Sequence, residues 1–149
     1  MFDKLIRMLD PGSSEPAPEN AGPLAVAALL VAAARADGQY DPEEAARIDR
    51  VLVRRYGIGP FEAGALRAEA EHAEGDASDL VRFTRAVKEA VPHEDRVSVI
   101  EALWEVIYAD GARSYEESAL VRRLCGLLYV EDRDAGLARQ RVARRLGIE

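Results

Sequence analysis

Ala36-Asp37-Gly38-Gln39-Tyr40-Asp41-Pro42-Glu43-Glu44-Ala45-Ala46 returns 73 residues later as Ala109-Asp110-Gly111-Ala112-Arg113-Ser114-Tyr115-Glu116-Glu117-Ser118-Ala119. The Ala-Asp-Gly triplet, the Glu pair and the last Ala coincide, and the register runs on without a gap to Arg50 and Arg123 and to Tyr56 and Tyr129. A spacing kept over that length marks one helix-turn-helix used twice. The expected fold is therefore all-α, about seven helices from a duplicated helix-turn-helix at about 24–56 and 97–129, related by a pseudo-twofold.

Local chemistry supports the same units. Asp41-Pro42-Glu43-Glu44 carries an N-cap acid, Pro at the first helical position and Glu at the third, and Ser114-Tyr115-Glu116-Glu117 offers the same capping box with Ser. Gly38 and Gly111 stand where a chain leaving a helix turns left-handed. Gly57, Gly59-Pro60 and Val91-Pro92 break the chain between further helices. Working outward from the repeats, helices are expected near 23–37, 42–56, 60–74, 77–91, 94–110, 115–129 and 132–146, with no convincing strand.

Hydrophobic periodicity places the core. Val97, Ile100, Trp104, Ile107 and Tyr108 fall on one helical stripe. The matching helix of the first unit, Leu24 to Ala34, is apolar on nearly all sides and is expected to be the more buried of the two. Ile48, Val51 and Leu52 correspond to Val121, Leu124 and Cys125. The same apolar run is well short of the ~20 residues that span a bilayer.

The chain of 149 residues fits one compact domain, a size that buries about 68–70% of its unfolded surface. Ahead of that domain (24–149), residues 11–23 hold four Pro, two Gly and two Ser and are expected to form a connector. Residues 1–10 are expected to form a short amphipathic helix with Phe2, Leu5, Ile6 and Leu9 on one face, too short and too charged for a secretory signal. The single Cys125 lies among leucines and reads as a small buried hydrophobe, in keeping with a reducing compartment.

The formal net charge is −7, and its distribution is uneven: residues 120–149 carry seven Arg and four acids, so the excess of acid lies upstream. An acidic bulk argues against nucleic acid as a partner. The basic C-terminal stretch with Arg139, Arg141, Arg144 and Arg145 reads as a solvated helix face, with an acidic partner or anionic lipid as the alternative.

Asp37 and Asp110 are the informative acids. Each falls in the last turn of a helix, where the macrodipole is negative and a carboxylate costs ~0.3–1 kcal/mol. Accepting this twice implies a compensating partner. One reading is local: the amides opening the next helix, or an Arg such as Arg35, satisfy the carboxylate. The other is that Asp37 and Asp110 converge with Glu44 and Glu117 and share a cation; oxygen-only ligands favour Ca²⁺, Mg²⁺ or Mn²⁺ over zinc. The two roles can coexist. The turn lacks the alternating acids of an EF-hand.

Catalytic patterns are sparse. Glu69-x-x-His72 is a lone pair where helical di-iron sites use two, because Ala90 stands three before His93. Two His, one Cys, and neither Gly-x-Ser-x-Gly nor a phosphate-binding Gly loop leave no support for a Ser or Cys triad or for a nucleotide-binding motif. No catalytic residue is assigned, and an enzyme is not expected.

The doubled Ala-Asp-Gly with Glu seven after each Asp, together with Asp79-Leu80-Val81-Arg82-Phe83-Thr84-Arg85 and Glu101-Ala102-Leu103-Trp104-Glu105-Val106-Ile107-Tyr108-Ala109-Asp110-Gly111, resembles the TerB (tellurite resistance protein B) family from about Leu24 to Val142. The resemblance implies an all-helical bacterial cytoplasmic protein without established catalysis, with an acidic surface suspected of cation binding and links to tellurite or other envelope stress. The family acids carry over to Asp37, Glu44, Asp110 and Glu117. One departure is Arg113, where the family often has an apolar residue matched by Tyr40 in the first unit; that arginine is placed to neutralise Asp110 internally.

Three functional expectations follow. The first is a non-enzymatic interaction or scaffold module, docking a protein partner or a second copy as a homodimer. The second is a divalent-cation-binding domain built on the paired Asp-Gly turns. The third is a peripheral membrane adaptor held at the inner face of the membrane through Phe2, Leu5, Ile6 and Leu9, although nine residues alone anchor poorly.

Overall fold

The computed structural model describes residues 21–75, 77–110 and 115–148, the side chains of 77, 78 and 110 excepted. Among the described residues the chain is all-α: α1 (Ala21–Arg35), α2 (Pro42–Tyr56), α3 (Pro60–Ala73), α4 (Ala77–Ala90), α5 (Arg96–Ile107), α6 (Tyr115–Leu127) and α7 (Asp132–Arg145), with 3₁₀ turns at His93–Asp95 and Tyr108–Asp110. No strand occurs among them. The N-terminal helix with Phe2, Leu5, Ile6 and Leu9, most of the connector, and Gly111 to Ser114 lie outside the described residues.

α1 is the hub. It packs against α2, α3, α4, α5 and α6, and every residue from Leu24 to Ala34 is buried. Its alanines let neighbouring helices come close. A Cβ added at Gly22 would lie 2.8 Å from the Ala90 Cβ at the end of α4, so that crossing requires glycine. Ala21, Gly22 and Pro23, read above as the end of the connector, form the first turn of α1. Pro23 fits there because first-turn amides have no intrahelical acceptor.

α5 was expected to bury a stripe, and it buries nearly its whole circumference: Val99, Leu103, Glu105 and Val106 join Ile100, Trp104 and Ile107. The reason is α7, which packs on the side of α5 away from α1. α5 is also shorter than the periodicity suggests. Arg96 opens it and turns its guanidinium onto the carbonyls of Lys88 (3.1 Å), Val91 (3.2 Å) and Leu128 (3.3 Å), capping the ends of α4 and α6 together.

The capping chemistry positions the acidic turn. Asp41 Oδ1 accepts from Glu44 N at 2.9 Å while Glu44 Oε1 accepts from Asp41 N at 3.2 Å, the reciprocal capping box expected at α2. Gly57 closes α2 at φ 63°. At the corresponding end, one position out of register, α6 is closed instead by Tyr129, a non-glycine at φ 58°.

Candidate functional site

The turn between α1 and α2 is built from backbone-directed carboxylates. Gly38 at φ 80° reverses the chain, its N–H donating to Arg35 O at 3.0 Å. Asp37 Oδ1 then accepts from Gln39 N at 2.9 Å, an Asx turn whose donor lies in the turn itself, ahead of the amides that open the next helix. Arg35 is not that donor. Its guanidinium reaches across to α3, donating to Glu71 O (3.1 Å), Glu74 O (3.3 Å) and Glu74 Oε1 (3.1 Å), where a cation suits the C-terminal carbonyls.

Tyr40 completes the tie to α3. Its hydroxyl donates to Glu71 Oε2 at 2.5 Å, and Arg67 donates to the same oxygen at 2.8 Å and to Asp49 Oδ1 of α2 at 2.6 Å. Burial, then the hydrogen bond and charge of Glu71, push the Tyr40 phenol well above the usual range. The Glu71 carboxyl is held below its ordinary value by its bonds from Tyr40 and Arg67, although burial, the largest influence on it, acts in the opposite direction.

Glu44 is the anomaly. It is 3% exposed, and Glu117, its register mate in the first turn of α6, is 4% exposed. Burial raises the Glu44 carboxyl from 4.5 to about 7; the Asp41 N–H opposes this, and the charges of Asp41, Asp37 and Glu117 add to it. Asp37 and Glu117, two further acids singled out by the repeat, thus both act on Glu44, as does Asp41. The side chain of the fourth, Asp110, lies outside the described side chains, as does Arg113.

The donor set is all oxygen, and Asp37, Asp41 and Glu44 each engage one carboxylate oxygen with a backbone N–H. Such a set suits a hard divalent cation, which takes six or more oxygens, over zinc. Among the described residues no group of three or more His, Cys, Asp or Glu is arranged to hold a metal ion.

Other sequence candidates are dispersed. His72 is exposed on α3, and His93 opens the 3₁₀ turn ahead of α5, its Nε2 2.9 Å from Tyr129 O. Cys125 is 3% exposed, and burial, with the charge of Asp132, pushes its thiol up to about 11, so it is a packed small side chain. Sequence reasoning missed Glu105, 4% exposed in the last turn of α5. A lone Glu inside the apolar run Ala102 to Tyr108 was the available signal, since a buried carboxylate demands cations.

A compact all-helical domain with an acidic helix-turn-helix at its surface is the class that this geometry defines. The family model of tellurite resistance protein TerB matches residues 23–140, and the chain belongs to that family. No curated protein and no solved structure matches the chain. None of the described helices is long and apolar enough to cross a membrane.

Proposed function

We propose that this TerB-family chain is a non-catalytic interaction module of the tellurite or envelope stress response, whose docking to a protein partner is controlled by a divalent cation of the Ca²⁺, Mg²⁺ or Mn²⁺ class held by Asp37, Glu44, Asp110 and Glu117. The observation that carries the reading is Glu44: a carboxylate 3% exposed, raised to about 7 by burial in the first place and further by the charges of Asp41, Asp37 and Glu117. Like charges gathered at the junction of two helix pairs are costly without a counter-ion, and a cation would relieve all of them at once. Ion uptake would change the charge and rigidity of the turn between α1 and α2, the surface a partner would read.

Thermal unfolding of the wild type and of an Asp37→Asn, Asp110→Asn variant, each in EDTA and in millimolar Ca²⁺, Mg²⁺ or Mn²⁺, tests the ion. A cation that binds only the folded chain raises the midpoint once its concentration exceeds Kd. The expected result is a rise for the wild type with one ion and no rise for the variant. If none of the ions moves the wild-type midpoint, cation control is wrong. Retrieval of the same partner in EDTA and in the ion would leave the module without its proposed switch.

A further inference from the structure

α2, α5 and α7 enclose a cleft of about 370 Å³ ringed by Arg54, Arg55, Ser98, Glu101, Glu105 and Arg145, none of which belongs to the acidic turn. Its volume lies near the lower end of the range of ligand sites, enough for one small ligand or headgroup. Glu105 is the buried member. Its Oε1 accepts from Arg54 Nη2 at 2.6 Å and from Arg145 Nη2 at 3.1 Å, so one carboxylate fixes guanidiniums from two different helices. Glu101 accepts from Arg141 at 2.8 and 3.2 Å. Arg55 touches neither glutamate: its Nη1 donates to Ser98 Oγ at 3.0 Å, and that hydroxyl donates to Asp95 O at 2.6 Å.

Both carboxylates are therefore covered by arginine, and the guanidiniums of Arg54, Arg55 and Arg145 in the lining, with Arg141 on Glu101 from beyond it, outnumber the two glutamates and leave this cleft positive on a chain of net charge −7. Arg54 and Arg145 keep 63% and 51% of their side chains exposed while held in place from below. A guanidinium carries five N–H donors, and Glu105 engages one from each. The rest are oriented before any ligand arrives, which lowers the ordering cost of binding.

We propose that this cleft binds a phosphate monoester dianion, with Arg54 and Arg55 donating from α2 and Arg145 from α7. A carboxylate offers two oxygens in one plane. A phosphoryl group offers three terminal oxygens in a tetrahedron and can accept from both walls together, with the charge that planar forks bind best. Glu105 is a positioning residue here: it touches the arginines and holds them on the two sides of the cleft. The −7 net charge does not forbid the site, because salt screens interactions beyond ~8–10 Å.

The same headgroup can arrive on a soluble ester or on a lipid, and one experiment separates these sources. The arginine Nε–Hε resonances of the full chain are followed by NMR during titration with inorganic phosphate, with chloride at matched ionic strength as the control. Binding to phosphatidylcholine vesicles with and without phosphatidic acid is measured in parallel. The expected result is a saturable joint shift of Arg54, Arg55 and Arg145 with phosphate, weakened about tenfold in Arg55→Gln by loss of a charge-assisted donor. Arg55→Gln leaves both glutamates paired, so its fold is not at risk; Arg54→Gln is the second variant, read alongside its melting point. Vesicle binding that needs phosphatidic acid and Arg55, without a response to free phosphate, assigns the site to a lipid headgroup. Identical shifts in phosphate and chloride, or responses unchanged in Arg55→Gln and Arg54→Gln, would overturn the proposal.

Discussion

Ala28 and Ala32 of α1 stand in the same register as Glu101 and Glu105 of α5, and all of what differs between the two helices follows from what covers them. α1 is surrounded by five helices, and Ala28 and Ala32 are buried there beside Leu29, Leu30 and Val31. α5 has α7 on its outer side, and there Arg141 and Arg145, with Arg54 of α2, reach the two glutamates. Two helices related by one sequence pattern thus carry opposite solutions to burial: dense packing in the first, a paired carboxylate in the second. Residues in register along a sequence repeat need not share an environment, because the two helices meet different neighbours.

The largest effect is expected from forcing the second solution onto the first. Ala32→Glu would place a carboxylate at a site 5% exposed and enclosed by apolar helices, without the arginines that meet Glu105. A loss of at least ~4 kcal/mol is expected, seen as failure to fold or a collapsed urea midpoint. A midpoint within 1 kcal/mol of wild type would mean that α1 tolerates charge as α5 does.

The converse change strips the cations from Glu105. An Arg54→Ala, Arg145→Ala variant should lose about 3 kcal/mol in urea unfolding, less than Ala32→Glu because both arginines are half exposed and water can reach the carboxylate. Adding Glu105→Leu should recover part of this loss, since a well-packed apolar side chain often replaces a buried ion pair at no cost. If the triple variant is the least stable, Glu105 has a packing role that its ion pairs do not describe.

The acidic turn supplies a third comparison, between Glu44 and an ordinary surface glutamate. The folded carboxyl titrates at about 7 and the unfolded one near 4.5, so the folded chain holds the proton more tightly between those values. Stability in EDTA should therefore fall as pH rises from about 4.5 to 7, by on the order of 2–3 kcal/mol, and then level off. Glu44→Gln should flatten that window and be the more stable form above pH 7. A wild-type profile that is flat or rises over that window would contradict this origin of the shift.

The smallest effects compare the two corresponding helix ends, whose left-handed residues stand one position out of register. Gly57 is left-handed at the end of α2, whereas Tyr129 takes that conformation after α6 and lies 4.6 Å from the Lys88 ammonium by ring centroid. Gly57→Ala should destabilise by about 1 kcal/mol. Tyr129→Gly should stabilise by less than about 1 kcal/mol, because relief of strain is offset by loss of the ring contact and by added chain entropy. Melting midpoints moving in the same direction for both would break the comparison.

The helices and their caps were legible because their signals are local. Asp41-Pro42 with Glu44, Gly38 and Gly57 each act within one turn of chain, and the described helix bounds fall close to those expected. The acids were legible as a set because the repeat marks them. The partners of Arg35, Arg96 and Glu105 were not, because each joins segments more than thirty residues apart or caps a helix other than its own. Arg35 illustrates the difference: its neighbour in sequence is Ala36-Asp37, yet the open carbonyls at the end of α3 claim it. Nothing in the periodicity of α5 says that a second helix will cover its outer side.

The most direct measurement is the titration of the Glu44 side-chain carboxyl by carbon-detected NMR, with and without saturating Ca²⁺, Mg²⁺ or Mn²⁺, the paramagnetic Mn²⁺ being read as line broadening. A crowded acidic centre that takes up a cation predicts a midpoint near 7 in EDTA and a midpoint returned toward or below 4.5 by one of the diamagnetic ions, or broadening confined to these acids by Mn²⁺. A midpoint near 4.5 in EDTA, or one near 7 that every ion leaves unmoved and unbroadened, would contradict it.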